Sequence, residues 1–177
     1  MAPSIITKKK IAKAFKSLLE KDDFEKISIV EIMEVANIRR QTFYNHFLDK
    51  YQLMDWIFEN DLQEKITDNL DFITGRQLLI ELFIYFEEEK EFYTQLFNIK
   101  AQNDFSSYFI KYCKSLVEKI IKEYPINNKY LENEFFLNFH IKYHSYALAE
   151  IIKDFVSHSI PTPDVDFLIF EMTYQKI

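Results

Sequence analysis

The sequence predicts an all-α protein of about nine helices, with a three-helix head at the N-terminus and a larger helical bundle behind it. Three observations lead there. The 177 residues include one glycine and four prolines, too little turn chemistry for hairpins or phosphate-cradling loops. Apolar residues recur at helical spacing along most of the chain. A hydrophobic content of 48%, with 17% aromatic residues, supplies a real core.

In the first helix, Ile11, Ala14, Phe15, Leu18 and Leu19 form one apolar face, and Lys8, Lys9, Lys10, Lys13 and Lys16 lie mostly off it. This helix is expected to end near Lys21 to Asp23, with Phe24 and Ile27 packed in the connection. Ser28 then precedes Ile29, Ile32, Met33 and Ala36 at helical spacing, and Glu31 follows it by three positions. Ser28 and Glu31 make a capping box, the start signal of a second helix. Asn37 stops that helix, because Asn tolerates the left-handed backbone of a tight exit. A short helix from Arg40 to Phe47 is anchored inward by Phe43 and Phe47. At 100° per residue its opposite face carries Gln41 and Asn45, flanked by Thr42 and Tyr44. Hydrogen-bonding groups turned outward on the second of two closely joined helices describe a helix-turn-helix with a recognition helix.

Asp49 and Lys50 lead into a fourth helix, whose apolar residues Tyr51, Leu53, Met54, Trp56, Ile57, Phe58, Leu62 and Ile66 are spread too widely for one buried stripe. Thr74 and Gly75 mark a break. Further helices are expected at about 76–89, 90–100, 104–123, 131–158 and 164–175, with loops at Pro125, Asn127 and Asn128 and at Pro161 and Pro163. The domain division is a head of residues 1–50 and a body of 51–177.

Net charge is −6, but it is unevenly placed: residues 1–50 hold ten Lys and Arg against seven Asp and Glu, so the body carries −9. A basic head on an acidic body fits a nucleic-acid reader with a separate regulatory part, chance clustering on a solvated face is the alternative, and local sequence decides between them. The single Cys113 excludes an internal disulfide and any multi-cysteine zinc site. The opening MAPSIITKKK has no apolar signal core, and no run of about 18 apolar residues occurs, so a soluble, cytoplasmic protein with no membrane partner is expected.

The string from Ile27 to Leu53, ISIVEIMEVANIRRQTFYNHFLDKYQL, resembles the DNA-binding region of the TetR family of bacterial regulators. The matching positions are Ser28, Ile32 and Ala36, then Thr42, Phe43, Tyr44, His46, Phe47, Lys50 and Leu53. The resemblance implies a homodimer on double-stranded operator DNA, with Thr42, Tyr44, His46 and Lys50 approaching phosphates and Arg40, Gln41 and Asn45 facing base edges. Ser28 and Arg39 complete the expected DNA-binding set. Side-chain chemistry supports the same division, since Gln and Asn amides match the adenine N6 and N7 edge and Arg matches guanine O6 and N7. Two departures stand out: Asn37 where a turn glycine is usual, and Arg39 where a Ser or Thr cap is common. Within the family, the double arginine, short aromatic body and length resemble regulators of dihydroxyacetone kinase operons. That similarity implies an activator of dihydroxyacetone utilisation genes, worked by a kinase-like coactivator protein that senses dihydroxyacetone. A small-molecule-responsive repressor of the same family is the alternative.

Other chemistries find little support. There is no phosphate loop, nucleophile elbow or metal set, so no enzyme and no cofactor are expected. His140 and His144 share a helix face, but nothing completes a metal site around them, and Cys113 reads as a small buried thiol. The body aromatics Phe83, Tyr85, Phe86, Phe92, Tyr93, Phe97, Phe135, Phe136 and Phe139 could line a ligand pocket, though core packing explains them equally well. A helical adaptor whose Gln41, Thr42, Tyr44 and Asn45 face binds protein is the remaining class. Dimerisation is assigned to residues 131–175, through Phe135, Phe139, Leu148, Ile152, Phe155, Phe167, Leu168 and Phe170.

Overall fold

A computed structural model of the chain describes residues 3–65, 67–98, 105–125 and 131–173. Ile66, Asn127, Asn128 and the ends of several expected helices lie outside these. The described residues form α1 (Pro3–Leu19), α2 (Ile29–Val35), α3 (Arg40–Tyr44), α4 (Lys50–Lys65), α5 (Gly75–Glu88), α6 (Lys90–Asn98), α7 (Phe105–Glu123), α8 (Glu134–Val156) and α9 (Val165–Thr173), with a 3-10 turn at Thr67–Asn69. The all-α expectation holds. Lys8, Lys9, Lys10, Lys13 and Lys16 all belong to α1, which Pro3 opens as a first-turn residue.

Two compact units emerge, and neither follows the expected boundary between residues 50 and 51. One comprises Met1–Asn60 with Glu91–Lys100, the other Asp61–Lys90 with Ala101–Ile177. In the first unit α2 packs against both α1 and α3. Its core holds Ile11, Phe15, Ile32, Met33, Phe43, Phe47 and Leu53, all essentially buried, so the face predicted for α1 is the one that packs. Phe92 and Tyr93, read from sequence as body aromatics, are buried in this unit, with Tyr93 edge-on to Phe58 at 6.0 Å.

In the second unit α7 lies along α8, and α5 and α9 pack on the pair. Phe83 meets Phe155 edge-on at 5.4 Å and Phe86 meets Phe109 at 5.9 Å, so these rings fill the core. Cys113 is fully buried there, and burial pushes its thiol pKa up, which suppresses the reactive thiolate. Arg76 of α5 grips Asp166 of α9 through two hydrogen bonds of 2.6 and 2.9 Å, tying these helices across the surface.

The one glycine is placed by close approach. Thr74 caps α5 by accepting the Gln77 N–H at 3.1 Å, and the Gly75 N–H donates to the Glu123 carboxylate at 2.7 Å. A Cβ at position 75 would stand 2.7 Å from Ile120 Cγ1 of α7. Gly75→Ala is therefore expected to destabilise the second unit by about 1–3 kcal/mol through overpacking, outweighing alanine's better helix propensity. Urea unfolding at 25 °C, with the slope unchanged and the midpoint lowered, would show it.

Candidate nucleic-acid interface

The recognition element is set by the turn in front of it. Ser28 Oγ accepts the Glu31 N–H at 3.3 Å, and the Glu31 carboxylate accepts the Ser28 N–H at 2.8 Å, completing the expected capping box. The Ser28 side chain first, and its backbone N–H second, hold the Glu31 carboxyl below its ordinary range. At the other end of α2, Asn37 has φ of 51°. Its N–H donates to Glu34 O and the Ile38 N–H donates to Met33 O, both at 3.0 Å, so the exit is a Schellman turn with Asn in the left-handed place. Asn37 thus performs the turn function expected of it.

α3 is shorter than expected. It ends at Tyr44, with Asn45 as C-cap, although Phe47 N–H still donates to Phe43 O at 2.9 Å. Phe43 and Phe47 are buried while Arg40, Gln41, Tyr44 and Asn45 are exposed and Thr42 and His46 are half-buried. Arg39 is exposed and occupies the N-cap without a side-chain cap hydrogen bond, as its chemistry dictates. Arg40, whose helical angle places it nearer the inward face, is instead outside. Its guanidinium stacks 5.9 Å from the Tyr44 ring centre and donates to Tyr44 Oη at 3.4 Å, and Tyr44 in turn packs edge-on to Phe43 at 5.5 Å. A charged fork is thereby held over the exposed face with part of its rotamer freedom already removed.

Lys50 sits differently from the phosphate-facing position expected of it. Its side chain is only 16% exposed, and Nζ donates to the carbonyls of Phe24, Glu25 and Ile27 at 2.7, 3.1 and 3.2 Å. The same ammonium stands 4.5 Å from the Phe24 ring centre. All three ammonium protons therefore have acceptors in the segment between α1 and α2. Of the α1 lysines, Lys10 and Lys13 are exposed, while Lys8 lies against the rings of Phe47 and Trp56 at 5.2 and 5.4 Å.

The sequence gives no hint of one further contributor. Gln95 of α6 donates from Nε2 to Leu19 O at 2.7 Å and Asp22 O at 3.2 Å, and its Oε1 accepts the Phe24 N–H at 2.8 Å.

In the second unit, the outer face of α8 carries an open groove of about 480 Å³ lined by Phe139, Lys142, Tyr143, Tyr146, Ala147 and Glu150. Phe135, Phe139, Tyr143 and Tyr146 of α8 and Phe167 and Phe170 of α9 are all exposed. Leu148, Ile152, Phe155 and Leu168, assigned from sequence to a dimer contact, are buried within the chain instead. α8 is apolar on two sides, and residues at i+3 and i+4 spacing fill the inner one.

His140 is buried, its Nε2–H donating to Met172 O at 2.8 Å, and its ring centre lies 4.3 Å from that of His144. No group of three or more His, Cys, Asp or Glu able to hold a metal occurs among the described residues. Burial, and secondarily His140, pushes the His144 pKa down to about 4 from an ordinary 6.5. The unfolded chain therefore takes up this proton at higher pH than the folded one. Its contribution is complete above pH 6.5 and is lost as pH falls toward 4. The thermal midpoint is expected to drop across that window, and His144→Gln should flatten the drop.

Comparisons with known proteins bear on this geometry. A family model described as transcriptional regulator C-terminal region, TetR_C_8, matches residues 74–168. The chain is 37% identical over 154 residues to the HTH-type dhaKLM operon transcriptional activator DhaS of Lactococcus lactis subsp. lactis (strain IL1403), covering 87% of this chain and 81% of that one. It belongs to the TetR family of transcriptional regulators. A solved structure of a dihydroxyacetone kinase operon activator DhaS superposes with a TM-score of 0.77 at 32% identity, covering 95% of this chain and 92% of the other. A TetR regulator from Streptococcus agalactiae 2603V shares the fold, with a TM-score of 0.65 at 22% identity over 96% of this chain and 93% of its own. As a TetR-family regulator the chain is a DNA-binding protein and not an enzyme, and no helix among its described residues is long and apolar enough to cross a membrane.

Proposed function

We propose that this TetR-family protein is a dimeric, operator-binding activator of dihydroxyacetone kinase genes that works with a dihydroxyacetone-sensing, kinase-like coactivator. The observation that carries the proposal is the similarity, over most of both chains, to an activator named for the dhaKLM operon. Gln41 and Asn45 read adenine edges in the major groove, and Arg40, steadied by Tyr44, reads guanine. Ser28, Arg39, Thr42, Tyr44 and His46, with Lys10 and Lys13 on the flank, meet phosphates. Lys50 serves the same interface by holding the α1–α2 connection. The protein acts as a cytoplasmic homodimer joined by the exposed aromatics of α8 and α9, and the coactivator docks on the acidic body.

Capture of genomic fragments by the purified protein tests this. DNA upstream of a dihydroxyacetone kinase gene should be enriched, and transcription from that promoter should rise only when coactivator and dihydroxyacetone are supplied together. Release of the captured DNA by dihydroxyacetone acting on the purified protein alone would support a ligand-responsive repressor in its place.

A further inference from the structure

The backbone between α1 and α2 makes few hydrogen bonds to itself. Past the end of α1, the Lys21 and Asp22 N–H groups both donate to Leu18 O at 3.0 Å, and the Lys26 N–H donates to Asp23 O at 3.0 Å. The carbonyls of Leu19, Asp22, Phe24, Glu25 and Ile27 and the N–H of Phe24 are bonded instead by two side chains from elsewhere, Gln95 and Lys50. Lys50 opens α4, directly after the helix-turn-helix. Gln95 comes from α6, between 71 and 76 residues away along the chain.

The Gln95 amide is fully used. Both Nε2 protons go to carbonyls and Oε1 faces an N–H, so an inverted amide would set donor against donor and acceptor against acceptor. α6 also meets α1 through Lys16, whose Nζ lies 5.0 Å from the Phe92 ring centre. The compact grouping of Glu91–Lys100 with Met1–Asn60 agrees: the DNA-binding unit is completed by a helix distant in sequence. Immediately after the clasped segment comes Ser28, the cap that fixes where α2 starts and hence how α3 is presented.

We infer that Gln95 is a positioning residue for sequence-specific DNA recognition, fixing the α1–α2 connection so that α3 meets base edges in register. Bidentate reading of a base tolerates displacements of well under an ångström, whereas phosphate attraction is long-ranged and forgiving. Loss of the Gln95 clasp should therefore reduce specificity and spare nonspecific binding. This assignment rests on the DNA-binding role proposed for α3.

The test compares Gln95→Ala and Gln95→Met, the second keeping side-chain length and packing in case the first does not fold. Each full-length variant is titrated against a captured operator duplex and an unrelated duplex over a range of salt, with helicity and thermal midpoint followed by circular dichroism. The expected result is at least a ten-fold loss of operator affinity in a folded protein, with the unrelated duplex held within two-fold and the salt slope unchanged. Operator affinity within two-fold of wild type, or equal loss on both duplexes, would overturn the assignment. Wild-type protein with no preference among duplexes would count against the DNA-reading role itself, a different outcome from preference that survives in both variants.

Discussion

Phe139→Asp combined with Phe167→Asp is expected to leave the protein folded but monomeric at micromolar concentration, and to reduce operator affinity to the level of unrelated DNA. Phe139 is 63% exposed and Phe167 59%, so neither change opens a cavity in the chain. In a dimer each ring could bury its remaining exposed part, about 100–150 Å², worth several kcal/mol per pair at about 25 cal/mol/Å². An aspartate in its place must be desolvated when the contact closes, a cost that replaces the gain from burying a ring. One recognition helix reads too few bases for useful specificity, so loss of the second half-site should cost roughly 10³-fold or more. Sedimentation velocity and operator titration on the same samples check both halves of this expectation. A variant that remains dimeric would place the contact elsewhere.

The second large effect belongs to α3. Asn45→Ala and Gln41→Ala should each erase preference at one base pair per half-site, at about 1–3 kcal/mol for each half-site, while binding to unrelated DNA and its salt dependence hardly change. The reason is geometric, since Asn45 and Gln41 are exposed opposite the buried Phe43 and Phe47 and neither carries charge. Lys50→Ala should behave otherwise. It removes an ammonium bonded to three carbonyls, so it should lower stability and operator affinity together without shrinking the salt slope by the amount of about 0.9 that a lost phosphate contact brings. Binding curves for the three variants across a salt series separate reading from support.

What was legible in the sequence was local. Ser28 with Glu31, Asn37, and the Phe43 and Phe47 pair each announce their structure within four residues, because caps, left-handed exits and i, i+4 faces are short-range physics. Lys50 was not legible in that way. An ammonium at a helix start near a DNA-facing helix suits a phosphate, and only the folded chain brings Phe24, Glu25 and Ile27 carbonyls beneath it. Gln95 carried no signal, as an amide on a helix gives no sign of which distant backbone it will bond. Arg40 points outward because Tyr44 offers it a ring and a hydroxyl, a pairing that the angular position alone does not reveal. On α8 the periodicity marks apolar residues without saying which side packs inside the chain, and so Leu148, Ile152 and Phe155 were grouped with Phe135 and Phe139.

Hydroxyl-radical footprinting of the purified wild-type protein on a captured fragment addresses the central claim most directly. Two protected patches, related by a dyad and centred about one helical turn apart on the major-groove face, are expected from a dimer reading with two α3 helices. In the Asn45→Ala protein the same patches should spread over unrelated positions of the fragment. A single patch, or protection confined to one minor groove, would contradict a two-fold regulator that reads DNA through α3.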